Sequence, residues 1–145
     1  MRLISGQKDM LLTQFGFPIT VSPMRIVLAS SSPYGRAHLR AFVLQLEAVK
    51  PHVNEDELKA QGPADPAELT RYLAGAKAES LRAEFPGALI LGSDQLVDFN
   101  GERLDKPGTL ENARAQLTRL AGREHRLITS LAINTPDRHL MFTDI

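Results

Sequence analysis

The side chains in this sequence best suited to chemistry are two carboxylates and three cations. Asp94 follows an apolar run and a glycine, at the end of a predicted strand, where functional groups concentrate in α/β sheets. Glu55 lies in an acidic stretch, and a carboxylate there can hold Mg²⁺, which prefers oxygen ligands. The cations are Arg36, Lys77 and Lys106. Metal-assisted attack of water on a polyphosphate requires this combination of charge neutralisation, positioning and an activated water.

Each of these residues also has an ordinary structural explanation when it is considered alone. Asp94 is typical of a turn or cap residue, and the acidic stretch around Glu55 is typical of a solvated loop. Lys77 is compatible with an exposed helix face, and Lys106 with a simple loop. The chemistry is therefore indicated by the combination of residues and not by any single one.

A serine-rich turn after the first strand candidate predicts a phosphate cradle. Ser32 can cap a helix and Pro33 suits its first turn, so that free N–H groups face the space beyond the strand. Arg36 lies one helical turn further along, where its guanidinium can reach an anion held by these groups. Serines before a proline are more often plain turn and cap residues, so this segment alone does not define a site.

The first half of the chain predicts strands and helices in alternation. Asp65, Pro66 and Glu68 have the residue types of a helix start, and Pro86 with Gly87 ends the same pattern. The predicted elements are a strand at 25–29, a helix over 33–42, a strand around 44–48, a polar acidic connection over 51–66 and a helix from 66 to about 85.

The second half predicts two strand pairs separated by one helix. Asn100 and Gly101 are a strong hairpin signal, while Thr109 can cap a helix that Gly122 ends. The predicted elements are a strand over 88–91 that continues over 96–99, a helix over 110–121, a strand over 125–134 and a return strand from 139 to 143. This order indicates an α/β domain with a mixed β-sheet and flanking helices.

The composition is that of one globular domain without a dedicated nucleic-acid surface. The chain has 145 residues, 43% of them hydrophobic and 23% charged. Its 17 Lys and Arg residues balance 17 Asp and Glu residues, whereas a nucleic-acid binder usually carries an excess of basic residues. A homodimer is compatible with the sequence. We expect one domain, over 24–145, preceded by an extension over 1–23 that is either an added segment or a native edge strand.

Several protein classes are disfavoured by what the sequence lacks. There is no cysteine, and the four histidines lack the spacing of a zinc-binding HExxH motif. Polar residues and glycines interrupt the apolar residues of 1–23 before a signal peptide or membrane span can form. The glycine-rich fingerprints of the commonest nucleotide-binding folds are also missing. We therefore expect a soluble, cytoplasmic protein that does not bind membranes.

Six short segments together resemble the Maf family of nucleoside-triphosphate pyrophosphatases. The resemblance covers 24–145 in collinear order and implies the ITPase/Maf-like fold, incomplete at the C-terminus because family members continue well past Ile145. The segments are Leu-Ala-Ser-Ser-Ser-Pro-Tyr-Gly-Arg (28–36), Val-Asn-Glu (53–55), Ala-Lys-Ala (76–78), Gly-Ser-Asp-Gln (92–95), Asn-Gly-Glu-Arg-Leu-Asp-Lys-Pro (100–107) and Gly-Arg-Glu-His-Arg-Leu-Ile-Thr (122–129).

The resemblance implies hydrolysis of a nucleoside triphosphate to its monophosphate and pyrophosphate with a divalent cation such as Mg²⁺ or Mn²⁺. It implies Asp94 as the general base and Glu55 as a metal-binding or water-positioning carboxylate. The residues implied to bind the triphosphate are Ser31, Arg36, Lys77 and Lys106.

Two further residues point to one branch of the family. Tyr34 and Gln95 stand where the dTTP/UTP branch usually has arginine and threonine, so the chain is more similar to the 7-methyl-GTP pyrophosphatases. Both residues would help to select the base. An aromatic face at Tyr34 also suits a cationic methylated purine through a cation–π contact.

The sequence departs from the family pattern at several positions and leaves two other hypotheses open. Gly35, Val43, Asn54 and Ser130 stand where the family usually has a basic residue, glycine, aspartate and glycine. One alternative is a truncated, non-catalytic relative that at most binds nucleotides. The other is a generic α/β interaction domain, for which Arg36→Ala would have no effect.

Overall fold

The computed structural model describes residues 24–32 and 46–145, which form one mixed six-stranded sheet with three helices. The strands are β1 (Ile26–Ala29), β2 (Leu46–Val49), β3 (Leu89–Phe99), β4 (Glu102–Leu104), β5 (Arg126–Asn134) and β6 (His139–Asp144). The helices are α1 (Glu55–Gln61), α2 (Pro66–Glu79) and α3 (Leu110–Leu120). The predicted mixed sheet with flanking helices is confirmed. The predicted extension 1–23 and helix 33–42, with Tyr34 and Arg36, lie outside the described residues.

The sheet has a parallel half and an antiparallel half that meet at β3. The strand order is β2-β1-β3-β5-β6, and β4 pairs with β3 outside this path. β1 is parallel to both β2 and β3, and Val27, Leu28 and Ala29 in it are at most 1% exposed. Burial on both faces explains why β1 is continuously apolar in the sequence.

The antiparallel half is organised by one tight hairpin. β3 and β4 are joined at Asn100 and Gly101, whose φ angles of 54° and 84° are those of a type I′ turn. The buried carboxylate of Asp98 accepts the Gly101 N–H at 2.8 Å and is also bound by the Arg126 guanidinium. The predicted Asn-Gly hairpin is therefore correct.

One predicted connection and the extent of one predicted helix are wrong. Residues 51–66 contain α1, because the side chain of Asn54 accepts hydrogen bonds from the N–H groups of Asp56 and Glu57 and so caps a short helix. α2 starts at Pro66 after the Asp65 cap, as predicted, but it ends at Glu79. Residues after Ser80 continue as tight turns, with hydrogen bonds between residues three apart, to Phe85.

The core lies between α2 and one face of the sheet. Leu73, Ala74, Ala78 and Leu81 on or just after α2 are fully buried, and they pack over residues of β1, β3 and β5 such as Ile90. α3 begins after the Thr109 cap as predicted, yet no residue of α3 is buried among the described parts of the chain. Its apolar stripe lies at the surface, with Leu110 and Leu117 70% and 67% exposed.

Candidate active site

Three of the predicted site residues meet at one ammonium group. The Lys77 Nζ on α2 lies 2.7 Å from Asp94 Oδ1 on β3 and 3.2 Å from Glu55 Oε1 at the start of α1. The side chains of Lys77 and Asp94 are only 10% and 11% exposed, whereas that of Glu55 is 41% exposed. The tertiary structure thus brings together a general-base candidate, a cation and a metal-ligand candidate that lie on three elements.

A close approach of α2 to β3 makes the Lys77–Asp94 contact possible. Gly92 packs directly beneath α2, and a Cβ atom at Gly92 would lie 2.2 Å from the Ala74 carbonyl oxygen and 2.7 Å from the Ala78 N. Only a residue without a Cβ fits against a helix backbone at this distance. Lys77 lies on the same buried face of α2, so the ammonium reaches Asp94, two residues beyond Gly92.

Within the described residues, Asp94 lies in a stretch of β3 that no strand pairs on one side, here called the open stretch, and not at the end of a strand. β1 pairs with β3 only as far as Ala29 opposite Gly92, and β4 pairs with β3 only from Val97 onward. Between these points, residues 93–96 of β3 have β5 on one side and no described strand on the other. The sequence placed Asp94 after a strand over 88–91, but β3 continues through Asp94 to Phe99.

The first serines follow directly after β1. The Ser30 N–H donates to the Val49 carbonyl at 3.0 Å, and the Ser30 side chain accepts the Ser32 N–H at 3.1 Å. Ser31 lies between them and is exposed. Residues 30–32 belong to no strand or helix, and the predicted helix start that would complete the phosphate cradle lies outside the described residues.

Burial dominates the electrostatics of Asp94. Desolvation raises the pKa of its carboxyl above the ordinary value of 3.8, and the charge of Glu55 raises it further. The charge and hydrogen bond of Lys77, and the more distant charge of Lys59, oppose this rise without cancelling it. Asp94 is therefore easier to protonate than an exposed aspartate.

The remaining predicted residues are less closely gathered. Gln95 projects to the opposite face of β3 from Asp94, since adjacent strand residues alternate, and its Nε2 donates to Thr129 Oγ1 at 2.7 Å. Lys106 is exposed in the loop between β4 and α3. The preceding residue, Asp105, accepts a hydrogen bond from Lys59 Nζ at 2.8 Å, which lowers the pKa of Asp105 and ties this loop to α1.

Two residues near the site were not predicted to act there. Ser130 on β5 is the register partner of Asp94, and its fully buried hydroxyl lies 2.9 Å from Thr70 Oγ1 on α2. Thr70 precedes Lys77 by seven residues, so both lie on the same face of the helix. This spacing was readable in the sequence, but the pairing of β3 with β5 was needed to connect it to Asp94.

The donor set suits a divalent cation held together with phosphate, not a closed protein site. Among the described residues, no group of three or more His, Cys, Asp or Glu side chains lies close enough to hold a metal ion. Mg²⁺ is commonly bound by one or two carboxylates together with substrate phosphates, and the oxygens of Glu55 and Asp94 fit that mode. A cavity of about 580 Å³ elsewhere is lined by Asp98, the Asn100–Gly101 turn and residues 123–126, and contains none of the predicted site residues.

The α/β fold has a counterpart among solved structures. The structure superposes on that of the Staphylococcus aureus Ham1 protein with a TM-score of 0.52, at 15% identity, over 81% of this chain and 67% of that one. The family described as Maf-like protein matches residues 25–144, and the chain belongs to this Maf family. The resemblance inferred from the six segments is therefore confirmed.

The curated relatives carry the name of one branch of the family. A protein of Xanthomonas campestris pv. campestris named 7-methyl-GTP pyrophosphatase is 43% identical over 113 residues, which are 78% of this chain and 57% of that protein. A Bordetella pertussis protein of the same name is 39% identical over 123 residues, 85% of this chain and 60% of that protein. The chain thus spans about three fifths of the length of these relatives. No helix within the described ranges is long and apolar enough to cross a membrane.

Proposed function

We propose that this chain carries the reaction site of a cytoplasmic pyrophosphatase that hydrolyses 7-methyl-GTP or a related nucleotide to its monophosphate and pyrophosphate. The observation that carries the proposal is the buried contact of Lys77 with Asp94 beside the open stretch of β3. In this proposal, the contact sets a base beside a cation, and a phosphate chain would bind next to both. The names of the relatives support the choice of nucleotide.

Asp94 is the general base in this proposal. A water molecule that attacks a phosphoryl group loses a proton, and a carboxylate within hydrogen-bond reach accepts it. The raised pKa of Asp94 makes the ionised carboxylate a stronger proton acceptor than an exposed aspartate. Its position on a strand that is paired with β5 along its length holds the carboxylate in place.

Lys77 and the neighbouring polar groups bind the triphosphate. Lys77 supplies a positive charge beside the base, which stabilises the charge that develops on the leaving pyrophosphate. β1 and β4 border the open stretch of β3 at its two ends. Ser31 follows the end of β1, and Lys106 follows the end of β4. Arg36 completes the set in the proposal.

A divalent cation would be held by Glu55, with Asp94 as a neighbouring carboxylate. When bound, Mg²⁺ or Mn²⁺ would supply further neutralisation of the phosphate charge. Glu55 is suited to this role because α1 holds it at the rim of the site, where it stays partly exposed.

Base selection is assigned to Gln95 and Tyr34. A ligand in the open stretch of β3 can reach both faces of the strand from its edge, so it can contact Asp94 on one face and Gln95 on the other. The amide of Gln95 offers both a donor and an acceptor to a purine edge. Tyr34 would stack on the cationic methylated ring.

The proposal is tested by pyrophosphate release from 7-methyl-GTP, GTP, dTTP and UTP with Mg²⁺ or Mn²⁺. We expect release that is fastest with 7-methyl-GTP and falls by about 10²-fold or more in Asp94→Asn, as removal of a general base requires. Asp56→Asn, which alters an exposed carboxylate on α1, is the matched control and should retain activity. Turnover that is unaffected by Asp94→Asn would refute the role of this residue.

A second candidate is a relative that binds nucleotides without turnover. It is favoured by one fact, namely that the chain spans about three fifths of the length of its relatives. Saturable binding of 7-methyl-GTP without pyrophosphate release would support it. Robust release by the same preparation would exclude it.

A further inference from the structure

We infer that Lys77 is a resident counter-cation that occupies the place of the divalent ion between Glu55 and Asp94, so that metal alone binds weakly until a phosphate group draws Lys77 away. The inference rests on the proposed function, since it concerns how the same site is loaded. It goes beyond that function because it predicts that phosphate must bind before the metal ion binds tightly.

The geometry shows that one ammonium serves both carboxylates. Lys77 Nζ lies 2.7 Å from Asp94 Oδ1 and 3.2 Å from Glu55 Oε1, distances at which a single cation bridges two anions. A divalent ion that bound both carboxylates would need the same space. An ammonium and a divalent ion in this space would repel each other, because water screens charges only weakly around the largely buried Lys77 and Asp94.

The burial of Lys77 makes its displacement by a metal ion unfavourable. The Lys77 side chain is 10% exposed, so its charge depends on Glu55 and Asp94 in place of water. A buried charge that loses its partners is strongly destabilising, so displacing Lys77 from the carboxylates weakens metal binding unless another anion takes their place. A triphosphate is such an anion, and the lysine is already assigned to bind it.

Lys59 provides an internal comparison. It lies near enough for its charge to act on Asp94, but its Nζ donates to Asp105 at 2.8 Å, outside the carboxylate pair. Removal of either lysine deletes one positive charge from the same region. Only removal of Lys77 frees the space between Glu55 and Asp94.

The test is a titration with MnCl₂ in the absence of nucleotide. Binding is measured by calorimetry and by the loss of the electron paramagnetic resonance signal of free Mn²⁺. We expect Lys77→Met to bind Mn²⁺ at least about tenfold more tightly than the unsubstituted chain. We expect Lys59→Met to change the affinity by less than about twofold. Equal or weaker binding by Lys77→Met overturns the inference, as does an equal gain in Lys59→Met.

A second measurement uses the unsubstituted chain and so does not depend on the folding of a variant. Saturating MnCl₂ should increase acylation of the Lys77 amine, measured by peptide mass spectrometry, because the bound ion displaces the ammonium. Acylation of Lys59 should stay constant. Bound Mn²⁺ with unchanged labelling of Lys77 overturns the inference.

Both experiments are independent of turnover. A failure to release pyrophosphate would count against the proposed function while leaving the Mn²⁺ titration interpretable. Conversely, a chain that hydrolyses nucleotide but whose Lys77→Met variant gains no affinity for Mn²⁺ retains the function and loses the inferred order of binding.

Discussion

Asp94 and Ser130 are register partners on neighbouring antiparallel strands, and each contacts α2. Asp94 accepts a hydrogen bond from Lys77, and Ser130 donates one to Thr70, seven residues earlier on the same helix. Two polar contacts thus hold α2 against the sheet, and Gly92 permits close packing of the α2 backbone on β3. This arrangement fixes the position of the ammonium relative to the candidate base.

The contact between the Ser130 and Thr70 hydroxyls is part of a hydrogen-bond chain in which each hydroxyl donates to the next group. Thr70 Oγ1 donates to the Ala67 carbonyl at 2.9 Å, so it accepts from Ser130. Ser130 has then used its only proton and must accept from Thr143 on β6, which lies 3.0 Å away. Arg71 donates to Thr143 at 3.2 Å and completes the chain. Ser130, where the family usually has glycine, therefore links β5, β6 and α2.

Loss of the Thr70 hydroxyl should loosen this attachment. Valine has nearly the same shape as threonine but cannot accept the hydrogen bond of the buried Ser130 hydroxyl. We therefore expect Thr70→Val to lower the free energy of unfolding by about 1 to 2 kcal/mol. Thr70→Ser should retain most of the stability. Thr118→Val is the control, since Thr118 bonds the Arg114 carbonyl on the exposed helix α3. Urea unfolding measures all three, and equal losses at Thr70 and Thr118 would contradict the assignment.

Two glycines on opposite sides of one interface should respond oppositely to alanine. Gly92→Ala forces a Cβ into the backbone of α2 and should destabilise the chain by about 1 to 3 kcal/mol. Gly75→Ala on α2 meets only Met141 Cε at 3.5 Å and should stabilise the helix by up to about 1 kcal/mol. Thermal unfolding compares the two. Because the added Cβ pushes α2 away from β3, Lys77 should become more accessible and its acylation should rise in Gly92→Ala. Unchanged acylation would show that Gly92 affects stability without setting the position of Lys77.

The cap of α1 should control how Glu55 is presented. Asn54→Ala removes the acceptor for the Asp56 and Glu57 N–H groups and should cost about 1 kcal/mol of stability. Asn54→Asp should preserve the cap, since aspartate caps helices equally well. If Glu55 acts as assigned, Asn54→Ala should also weaken Mn²⁺-dependent turnover, whereas Asn54→Asp should not. A loss of turnover in both variants would show that the cap is not the cause.

The titration of Asp94 should depend on Glu55 with a defined sign. In the metal-free chain, carbon-13 NMR should find the Asp94 pKa above 3.8, and Glu55→Gln should lower it because the charge of Glu55 raises it. Glu57→Gln, on the exposed surface of α1, should leave the pKa of Asp94 unchanged. A higher pKa of Asp94 in Glu55→Gln would contradict the electrostatic account.

The same shift predicts a trend in stability. The folded chain holds the Asp94 proton to higher pH than the unfolded chain, so between the unfolded and folded pKa values the folded state binds more protons. The contribution of Asp94 to the free energy of unfolding should therefore fall as pH rises through this window. Glu55→Gln should make that fall smaller, and urea unfolding at a series of pH values measures it.

Local residue patterns alone determined much of this fold. The strand at 25–29, the caps at Asp65 and Thr109 and the Asn100–Gly101 turn were predictable, because propensity, capping and turn geometry act over a few neighbouring residues. The six family segments also identified the set of candidate site residues. The Asn54 cap of α1 was equally local, but the acidic residues after it were read as a loop.

Tertiary structure decided how those residues meet. The contact of Lys77 with Asp94 depends on the close packing of Gly92 against Ala74, and the bridge to Glu55 depends on where α1 lies over the sheet. The end of α2 at Glu79, the exposure of α3 and the placement of Gln95 on the other face of β3 likewise depend on pairing and packing. These are relations between residues far apart in the chain, and their distances are set by strand register and by helix–sheet packing, which no local pattern encodes.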